Sequence, residues 1–260
     1  MSEQQPAGGS LAAVRDALGD ARQVAVLTGA GMSAESGIPT FRDALTGLWA
    51  NFDPEALASI EGFRADPARV YRWYVERREG VRRAEPNAGH VALAAWARRH
   101  PGSMTVITQN VDDLHQRAGQ PGVIRLHGDI LADQWLEPCR HPAVPGRPCD
   151  PADADEGQPP KCARCANLAR PAVVWFGEAL PEAALARAER AARECQLMLV
   201  VGTSGAVWPA AGLALQARRA GARVVILNPA DSEIDVVAHD LLRGTAARLL
   251  PLLLGGGVAC

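Results

Sequence analysis

A histidine at the end of an apolar run is the residue best placed for proton transfer in this sequence. His127 follows the run Val123–Leu126 and precedes Gly128. The imidazole of histidine titrates near neutral pH, so it can take a proton from a ligand hydroxyl. A single histidine is more often structural, and the competing candidate, His115, falls within a predicted helix. We therefore interpret His127 as a candidate base and His115 as structural.

Polar side chains also follow the apolar run Met104–Thr108, in the segment Gln109, Asn110, Val111 and Asp112. Ligands bind at the carboxyl ends of parallel strands in α/β proteins, so this segment is a candidate ligand loop. Asn110 or Asp112 can also cap a following helix, and the two roles are compatible.

Small residues follow two further apolar runs, where backbone N–H groups can approach a phosphate. The run Val24–Leu27 leads into TGAGMSAESG, and the run Leu197–Val201 leads into Gly202, Thr203 and Ser204. The first segment departs from the dinucleotide fingerprint G-x-G-x-x-G, because alanine stands at the last glycine position. A plain structural turn is the alternative interpretation.

Three more positions belong with these loops. Phe41 and Arg42 end the first glycine-rich segment, where a ring and a guanidinium could cover a bound ligand. Asn228 follows the apolar run Arg223–Leu227 and suits either a ribose hydroxyl or a turn.

The apolar runs alternate with helical patterns, which predicts a doubly wound α/β fold with a Rossmann-like parallel sheet. We divide the chain into a Rossmann-like domain of residues 1–43, 86–128 and 172–260, a helical insert of residues 44–85, and a small Cys-rich, zinc-ribbon-like module of residues 129–171. The segment Gly244–Leu254 is predicted to close the domain as a strand, a turn and a helix.

Four of the six cysteines cluster in the predicted module. Cys162 and Cys165 form a CxxC pair, which is a good half-site for zinc. Cys139 and Cys149 are separated by nine residues and do not form a second such pair. An irregular four-cysteine site, a site in which His141 or another group replaces one cysteine, and a module without metal all remain open. A site with four protein ligands would be structural, because no position is left for a substrate.

The composition and charge of the chain argue against nucleic-acid-binding and membrane proteins. The net charge is −2, so there is no electrostatic case for a nucleic-acid partner. No apolar run is long enough to span a membrane, and the first residues lack a signal-peptide pattern. Clustered cysteines in such a chain indicate metal before disulfides. We expect a cytoplasmic protein with no membrane association.

Several motifs resemble those of the sirtuins, the NAD-dependent protein-lysine deacylases, and they occur in the order found in that family. They are GAGMSAESGIPTFRD, TQNVDDLHQRAG, LHG, VVWFGE and GTS followed by PAA. The resemblance covers roughly residues 20–230. It implies NAD as a consumed co-substrate and one structural zinc, although sirtuins usually carry a first CxxC where this chain has none.

The resemblance also implies roles for individual residues. His127 would act as general base on a ribose hydroxyl, while Asn110 and Asp112 would position the ribose and the nicotinamide carboxamide. The other implied cofactor contacts are Gly29, Ala30, Gly31, Ser33, Glu35, Phe41, Arg42, Gln109, Gly202, Thr203, Ser204 and Asn228.

Substrate contacts follow from the same resemblance. Tyr74 and Arg77 stand three residues apart in a predicted helix, so they share one face. By residue type alone they are a surface tyrosine beside one of many arginines. In class III sirtuins, however, a Tyr-x-x-Arg pair binds the carboxylate of succinyl or malonyl groups. Val174, Trp175 and Phe176 would form one side of the acyl-lysine cleft, although a core strand is the alternative. The loop after FRD is one residue longer than in class III members, so the resemblance does not determine how wide the acyl pocket is.

We therefore expect an NAD-dependent protein-lysine deacylase that produces nicotinamide, free lysine and O-acyl-ADP-ribose. Its partners would be acylated protein lysines, and its oligomeric state is open. A protein ADP-ribosyltransferase would instead label protein with ADP-ribose. A dehydrogenase would reduce NAD, and an NAD-binding module would show no turnover for a His127→Ala change to remove.

Overall fold

The computed structural model describes residues 10–39, 53–137 and 157–255, and these residues fall into two units. The first unit contains residues 10–39, 84–127 and 180–255, and the second contains residues 53–83, 128–137 and 157–179. The helical insert and the described part of the Cys-rich segment, which we predicted as separate parts, thus belong to one unit.

Strands and helices alternate along most of the described chain. The strands are β1 Val24–Thr28, β2 Met104–Thr108, β3 Ile124–Arg125, β4 Gly128–Trp135, β5 Ala169–Val173, β6 Leu197–Val201, β7 Arg223–Leu227 and β8 Asp240–Leu242. The α-helices are α1 Leu11–Asp20, α2 Pro54–Leu57, α3 Ile60–Ala65, α4 Pro67–Arg83, α5 Ala88–Arg99, α6 Leu114–Arg117, α7 Glu182–Glu194, α8 Gly212–Arg219 and α9 Ala246–Leu253. Within the described ranges, none of these helices has the length and apolarity that crossing a bilayer requires.

The first unit is built on a parallel six-stranded sheet in the order β3-β2-β1-β6-β7-β8. Renumbered along the chain, this is the 3-2-1-4-5-6 order of dinucleotide-binding folds. The predicted doubly wound α/β fold is therefore confirmed. The strand order reverses between β1 and β6, and ligands of such folds bind beside the loops at this reversal.

The residues of β1 show how both faces of the sheet are covered. All five are buried. Val24 and Val26 belong to a core shared with α1, α5 and α9, whereas Ala25 and Leu27 belong to a core shared with α7 and α8. A strand with helices on both faces has no solvated side, and this is why it reads as a continuous apolar run.

The closing strand of the sheet differs from the prediction. We expected it within Gly244–Leu254, but the strand is β8 and the later segment forms α9. Asp240, the first residue of β8, accepts hydrogen bonds of 2.7 and 2.9 Å from Arg223 of β7. A charged pair at the sheet edge interrupts the apolar pattern, so the pattern did not indicate this short strand.

The second unit combines α2, α3 and α4 with an antiparallel pair of strands, β4 and β5. Arg78, buried on α4, donates hydrogen bonds to the carbonyls of Ile130 and Ala132 on β4 and pairs with Asp133. Tyr71, two helical turns earlier, donates its hydroxyl to the same Asp133 carboxylate at 2.9 Å. A buried guanidinium is tolerated here because its N–H groups have acceptors.

Candidate active site

Two glycine-rich loops touch backbone to backbone at the reversal of the sheet. Gly31 donates its N–H to the carbonyl of Gly202 at 2.8 Å, and Gly29 donates to the carbonyl of Val201 at 3.0 Å. A Cβ on Gly202 would lie 2.5 Å from the carbonyl carbon of Gly31, and Gly202 has a φ of +60°. Only glycine satisfies both conditions without strain. The loops after β1 and β6 therefore form one continuous backbone surface.

The segment after β2 is held by a chain of side-chain hydrogen bonds. Asn110 Nδ2 donates to Ser33 Oγ at 3.1 Å, and Ser33 Oγ donates to Asp112 Oδ2 at 2.9 Å. Asp112 Oδ1 accepts from the N–H of Leu114, at the start of α6, at 3.1 Å. Burial raises the pKa of Asp112, while the hydrogen bonds from Leu114 and Ser33 oppose that shift. These side chains are thus oriented before any ligand binds.

Thr203 connects three of the loops. Its hydroxyl accepts from Gln109 Nε2 at 3.1 Å, and its carbonyl accepts from Asn228 Nδ2 at 3.3 Å. Ser204 lies in the same turn, where its hydroxyl accepts from the N–H of Ala206 at 3.4 Å. The loops after β2, β6 and β7 therefore share hydrogen bonds at the carboxyl edge of the sheet.

His127 has the tautomer that a base needs. Its Nδ1 lies 3.0 Å from the backbone carbonyl oxygen of Gln109. A carbonyl can only accept, so Nδ1 carries the proton and Nε2 remains basic. Burial lowers the pKa of His127, and the hydrogen bond to Gln109 opposes that shift. The imidazole is therefore neutral at pH 7. We call the following residues the strand-end cluster: Gly29, Gly31, Ser33, Gln109, Asn110, Asp112, His127, Gly202, Thr203, Ser204 and Asn228.

A buried polar layer supports this cluster, and no pattern in the sequence indicates it. Thr28 and Thr108 are register partners at the ends of β1 and β2, with their hydroxyl oxygens 2.8 Å apart. Thr108 Oγ1 accepts from the N–H of Asn110 at 3.0 Å, and Thr28 Oγ1 lies 3.1 Å from His115 Nε2. His90 packs its ring 4.8 Å from that of His115. Burial lowers the pKa of His115 to about 3 and that of His90 to about 4. Both are neutral structural groups.

The second unit carries a different kind of cluster on α4. The Arg77 guanidinium carbon lies 4.6 Å from the ring centroid of Trp73 and 5.4 Å from that of Tyr74. The two rings are buried and meet edge to face at 4.8 Å. Burial lowers the pKa of Arg77, and its interactions with Tyr74 oppose that shift. A guanidinium remains charged in such surroundings, so this is a cation held against aromatic rings.

Trp175 and Phe176 have different surroundings in the same unit. Trp175 is 3% exposed, and its Nε1 donates to the hydroxyl of Tyr74 at 2.9 Å. Phe176 is 49% exposed, and its N–H donates to the carbonyl of Ala58 at 2.8 Å. The guanidinium carbon of Arg170 lies 4.3 Å from the ring centroid of Trp175. We call the following residues the aromatic–arginine cluster: Trp73, Tyr74, Arg77, Arg170 and Trp175.

Comparison with known proteins assigns this architecture to a family. The Sir2 family profile matches residues 29–209. The chain belongs to the Sir2 family. It is 53% identical over 234 residues to a protein of Ralstonia nicotianae named NAD-dependent protein deacylase, and the match covers 90% of this chain and 92% of that protein. The predicted relationship to the sirtuins is confirmed.

Solved structures of Sir2 proteins match over almost the full length. A complex of a Sir2 homologue with NAD has a TM-score of 0.84 at 37% identity, covering 98% of this chain and 96% of that chain. A Sir2 protein bound to a propionylated peptide has a TM-score of 0.77 at 31% identity, and the match covers 96% of this chain and 99% of that chain.

Glu35, a predicted cofactor contact of this Sir2 chain, has a hydrogen-bond partner within the protein. The Glu35 carboxylate accepts a 2.9 Å hydrogen bond from the N–H of the second residue of α9, a helix that has no capping side chain of its own. A carboxylate at a helix N-terminus is stabilising, so Glu35 has a structural partner in α9, and its contact with a cofactor stays a prediction. Ala30 is exposed and Val174 is half-buried. Phe41 and Arg42 lie outside the described residues.

Two of the four cysteines predicted to bind zinc in this Sir2 chain lie within the described residues. Cys162 and Cys165 border a tight turn in which the N–H of Cys162 donates to the carbonyl of Asn167 at 2.8 Å. Two cysteines in one tight turn suit one half of a tetrahedral zinc site. Cys139 and Cys149 lie outside the described residues. Within the described ranges, no three His, Cys, Asp or Glu side chains are grouped to hold a metal.

Proposed function

We propose that this Sir2-family protein is an NAD-dependent protein-lysine deacylase that removes acetyl groups and acidic acyl groups such as succinyl and malonyl. The observation that carries the proposal is the neutral His127 imidazole, whose Nδ1 is engaged by the Gln109 carbonyl so that Nε2 is the base. The relative from Ralstonia nicotianae is named a deacylase. The two solved relatives bind NAD and a propionylated peptide, and these ligands support the same reaction for this chain.

The proposed reaction consumes NAD and uses this chain for positioning and for one proton transfer. The acyl oxygen of the substrate displaces nicotinamide from the ribose. His127 Nε2 takes the proton of a ribose hydroxyl, and that oxygen attacks the acyl carbon. The lysine amine leaves with a proton, and a water molecule opens the cyclic acyl–ribose species that remains. The acyl group then stays as an ester on one ribose hydroxyl of ADP-ribose. Asn110 and Asp112 orient the ribose and the carboxamide, while the glycine-rich loops hold the diphosphate.

Acidic acyl groups are assigned to Tyr74 and Arg77. A guanidinium can hold a carboxylate with two parallel hydrogen bonds, and a phenol supplies a third donor. The rings of Trp73 and Tyr74 lie against the Arg77 guanidinium. Aromatic neighbours lower the local dielectric constant, which strengthens the attraction between the guanidinium and a carboxylate.

A structural zinc held by Cys139, Cys149, Cys162 and Cys165 is part of the proposal. Metal analysis of the purified protein should give about one zinc per chain, because four thiolates form a closed tetrahedral site. Cys162→Ala should lower that content. Cys195→Ala is the matched control, since Cys195 is a buried core residue whose thiol donates to the Ala192 carbonyl. Protein without zinc would contradict the four-cysteine site.

A panel of acyl-lysine peptides with NAD, read by mass spectrometry, tests the proposed function. Acetyl, succinyl and malonyl peptides should each lose the acyl group only when NAD is present, with one nicotinamide released per lysine. ADP-ribose on the peptide would indicate an ADP-ribosyltransferase, and NADH would indicate a dehydrogenase. The proposed partners are acylated proteins of the cytoplasm.

A further inference from the structure

The hydroxyl of Tyr74 has a fixed hydrogen-bonding direction. Trp175 Nε1 lies 2.9 Å from that oxygen, and both side chains are buried. An indole N–H can only donate, so the Tyr74 oxygen must accept in this contact. The proton of the Tyr74 hydroxyl is therefore directed away from Trp175.

Trp175 is itself held from three sides. The guanidinium carbon of Arg170 lies 4.3 Å from its ring centroid, and the ring of Phe63 packs at 5.4 Å. The carboxylate of Glu178 accepts from the backbone N–H of Trp175 at 2.8 Å and also pairs with Arg170. The indole therefore has little freedom to turn away from Tyr74.

The protonation of Tyr74 agrees with a donor role. Burial raises the pKa of Tyr74, and the nearby Arg77 guanidinium opposes that shift. The phenol keeps its proton at neutral pH and can donate it. Arg77, whose guanidinium lies 5.4 Å from the Tyr74 ring centroid, supplies donors in the same place. A carboxylate only accepts hydrogen bonds, so it is a suitable ligand for a phenol and a guanidinium that donate.

We infer that Trp175 is a positioning residue, which fixes the Tyr74 hydroxyl as a hydrogen-bond donor to the carboxylate of an acidic acyl group. This role differs from the direct substrate contact expected from the sequence, because the indole is covered by Phe63, Arg170 and Tyr74. The inference rests on the proposed function, in which Tyr74 and Arg77 bind that carboxylate.

A double-mutant cycle tests the inference. Trp175→Phe removes the donor and keeps an aromatic ring, and Tyr74→Phe removes the hydroxyl. Each should lower the ratio of succinyl-lysine to acetyl-lysine kcat/KM by roughly 3–10-fold, the value of one hydrogen bond, mainly through KM. In the Tyr74→Phe background, Trp175→Phe should change the ratio less than about 2-fold, because the group it acts through is gone. Full additivity, or an unchanged ratio in Trp175→Phe, would overturn the inference.

Controls separate this inference from the proposed function. Trp96→Phe makes the same truncation at a buried tryptophan of α5 and should not move the ratio. If Arg77→Met lowers both activities equally, the carboxylate clamp itself is wrong. If Arg77→Met changes the ratio and Trp175→Phe does not, only the role of Trp175 is wrong.

A measurement that keeps Trp175 covers the case in which Trp175→Phe does not fold. In protein labelled with ¹⁵N-tryptophan, Tyr74→Phe should shift one indole N–H resonance. A succinyl-lysine peptide should shift the same resonance in the wild type, because its carboxylate accepts a hydrogen bond from the Tyr74 hydroxyl that Trp175 contacts. A resonance that responds to Tyr74→Phe and not to the peptide would count against the inference.

Discussion

The strand-end cluster lies on loops that directly follow strands of the sheet, and backbone carbonyls hold several of its groups, whereas Tyr74 in the aromatic–arginine cluster is held by another side chain. His127 is fixed by the carbonyl of Gln109, and Gly31 is fixed by the carbonyl of Gly202. Tyr74, by contrast, is fixed by the indole of Trp175, which lies beneath the guanidinium of Arg170.

This difference indicates how the two clusters divide the work. A group anchored to the ends of strands can move only if the sheet moves, which suits the placement of a base and a reacting ribose. A group anchored by side chains can be altered by single substitutions without disturbing the sheet. We therefore expect changes in the strand-end cluster to affect every acyl group, and changes in the aromatic–arginine cluster to affect the choice among them.

Removing the base should have the largest effect. His127→Ala should lower kcat/KM for acetyl-lysine and succinyl-lysine alike, on the order of 10²–10⁴-fold, which is the usual contribution of a general base. NAD binding, measured by calorimetry, should remain. His100→Ala, at an exposed histidine that follows α5, is the matched control. Full activity in His127→Ala would exclude the proposed mechanism.

The backbone contact between the glycine-rich loops can be tested by stability. Gly202→Ala should lower the free energy of unfolding by roughly 2–5 kcal/mol, since it adds a clash with Gly31 to a left-handed φ. Gly122→Ala separates the cost of the clash from the cost of the left-handed backbone. Gly122 also has a positive φ, of +63°, but no atom lies within 4 Å of a Cβ placed on it. Gly122→Ala should lower the free energy of unfolding by about 1–2 kcal/mol. If urea denaturation gave equal losses of stability for Gly202→Ala and Gly122→Ala, the close contact between the two loops would not contribute to stability.

Arg77→Met should separate the clusters by selectivity. Loss of a charged hydrogen-bonding partner should lower succinyl-lysine kcat/KM roughly 10–100-fold. The loss on acetyl-lysine should be much smaller. Arg72→Met, at an exposed arginine of the same helix, controls for the general loss of a positive charge. An equal loss on both peptides would remove the carboxylate clamp.

The buried histidines beneath the strand-end cluster should make stability depend on pH. Burial lowers the pKa of His90 to about 4 and that of His115 to about 3, from an ordinary 6.5. Below pH 6.5 the unfolded chain binds protons that the folded protein does not, so the free energy of unfolding falls as the pH falls. Each histidine should account for about 2 kcal/mol between pH 7 and pH 5.

Denaturation of two variants at both pH values checks this expectation. His115→Gln should have a smaller loss of stability on acidification than the wild type. His100→Gln, at an exposed position, should keep the wild-type dependence. The same dependence in His115→Gln and the wild type would show that His115 is not held neutral.

The sequence predicts the strand-end cluster well because the fold places its parts. Parallel strands end at one edge, so polar residues after β1, β2, β6 and β7 must lie together. Gln109 and Thr203 illustrate this. They are 94 residues apart in sequence, yet Gln109 Nε2 lies 3.1 Å from Thr203 Oγ1. The layer beneath is less predictable. Thr28 and Thr108 are ordinary strand residues by type, and only their register shows that their hydroxyls meet.

The aromatic–arginine cluster shows where sequence reasoning stops. Tyr74 and Arg77 are close through helical spacing, which the sequence contains. The contact of Tyr74 with Trp175 spans 101 residues and depends on packing within the second unit. Glu35 is a similar case, because its partner is the N-terminus of a helix 212 residues later. No local pattern carries such information.

The most direct test is a mass balance for one turnover of succinyl-lysine peptide with NAD. The proposed reaction predicts equal amounts of nicotinamide, unmodified lysine and O-succinyl-ADP-ribose, with none of the three formed by His127→Ala above background. ADP-ribose attached to the peptide, or NADH in place of free nicotinamide, would contradict it.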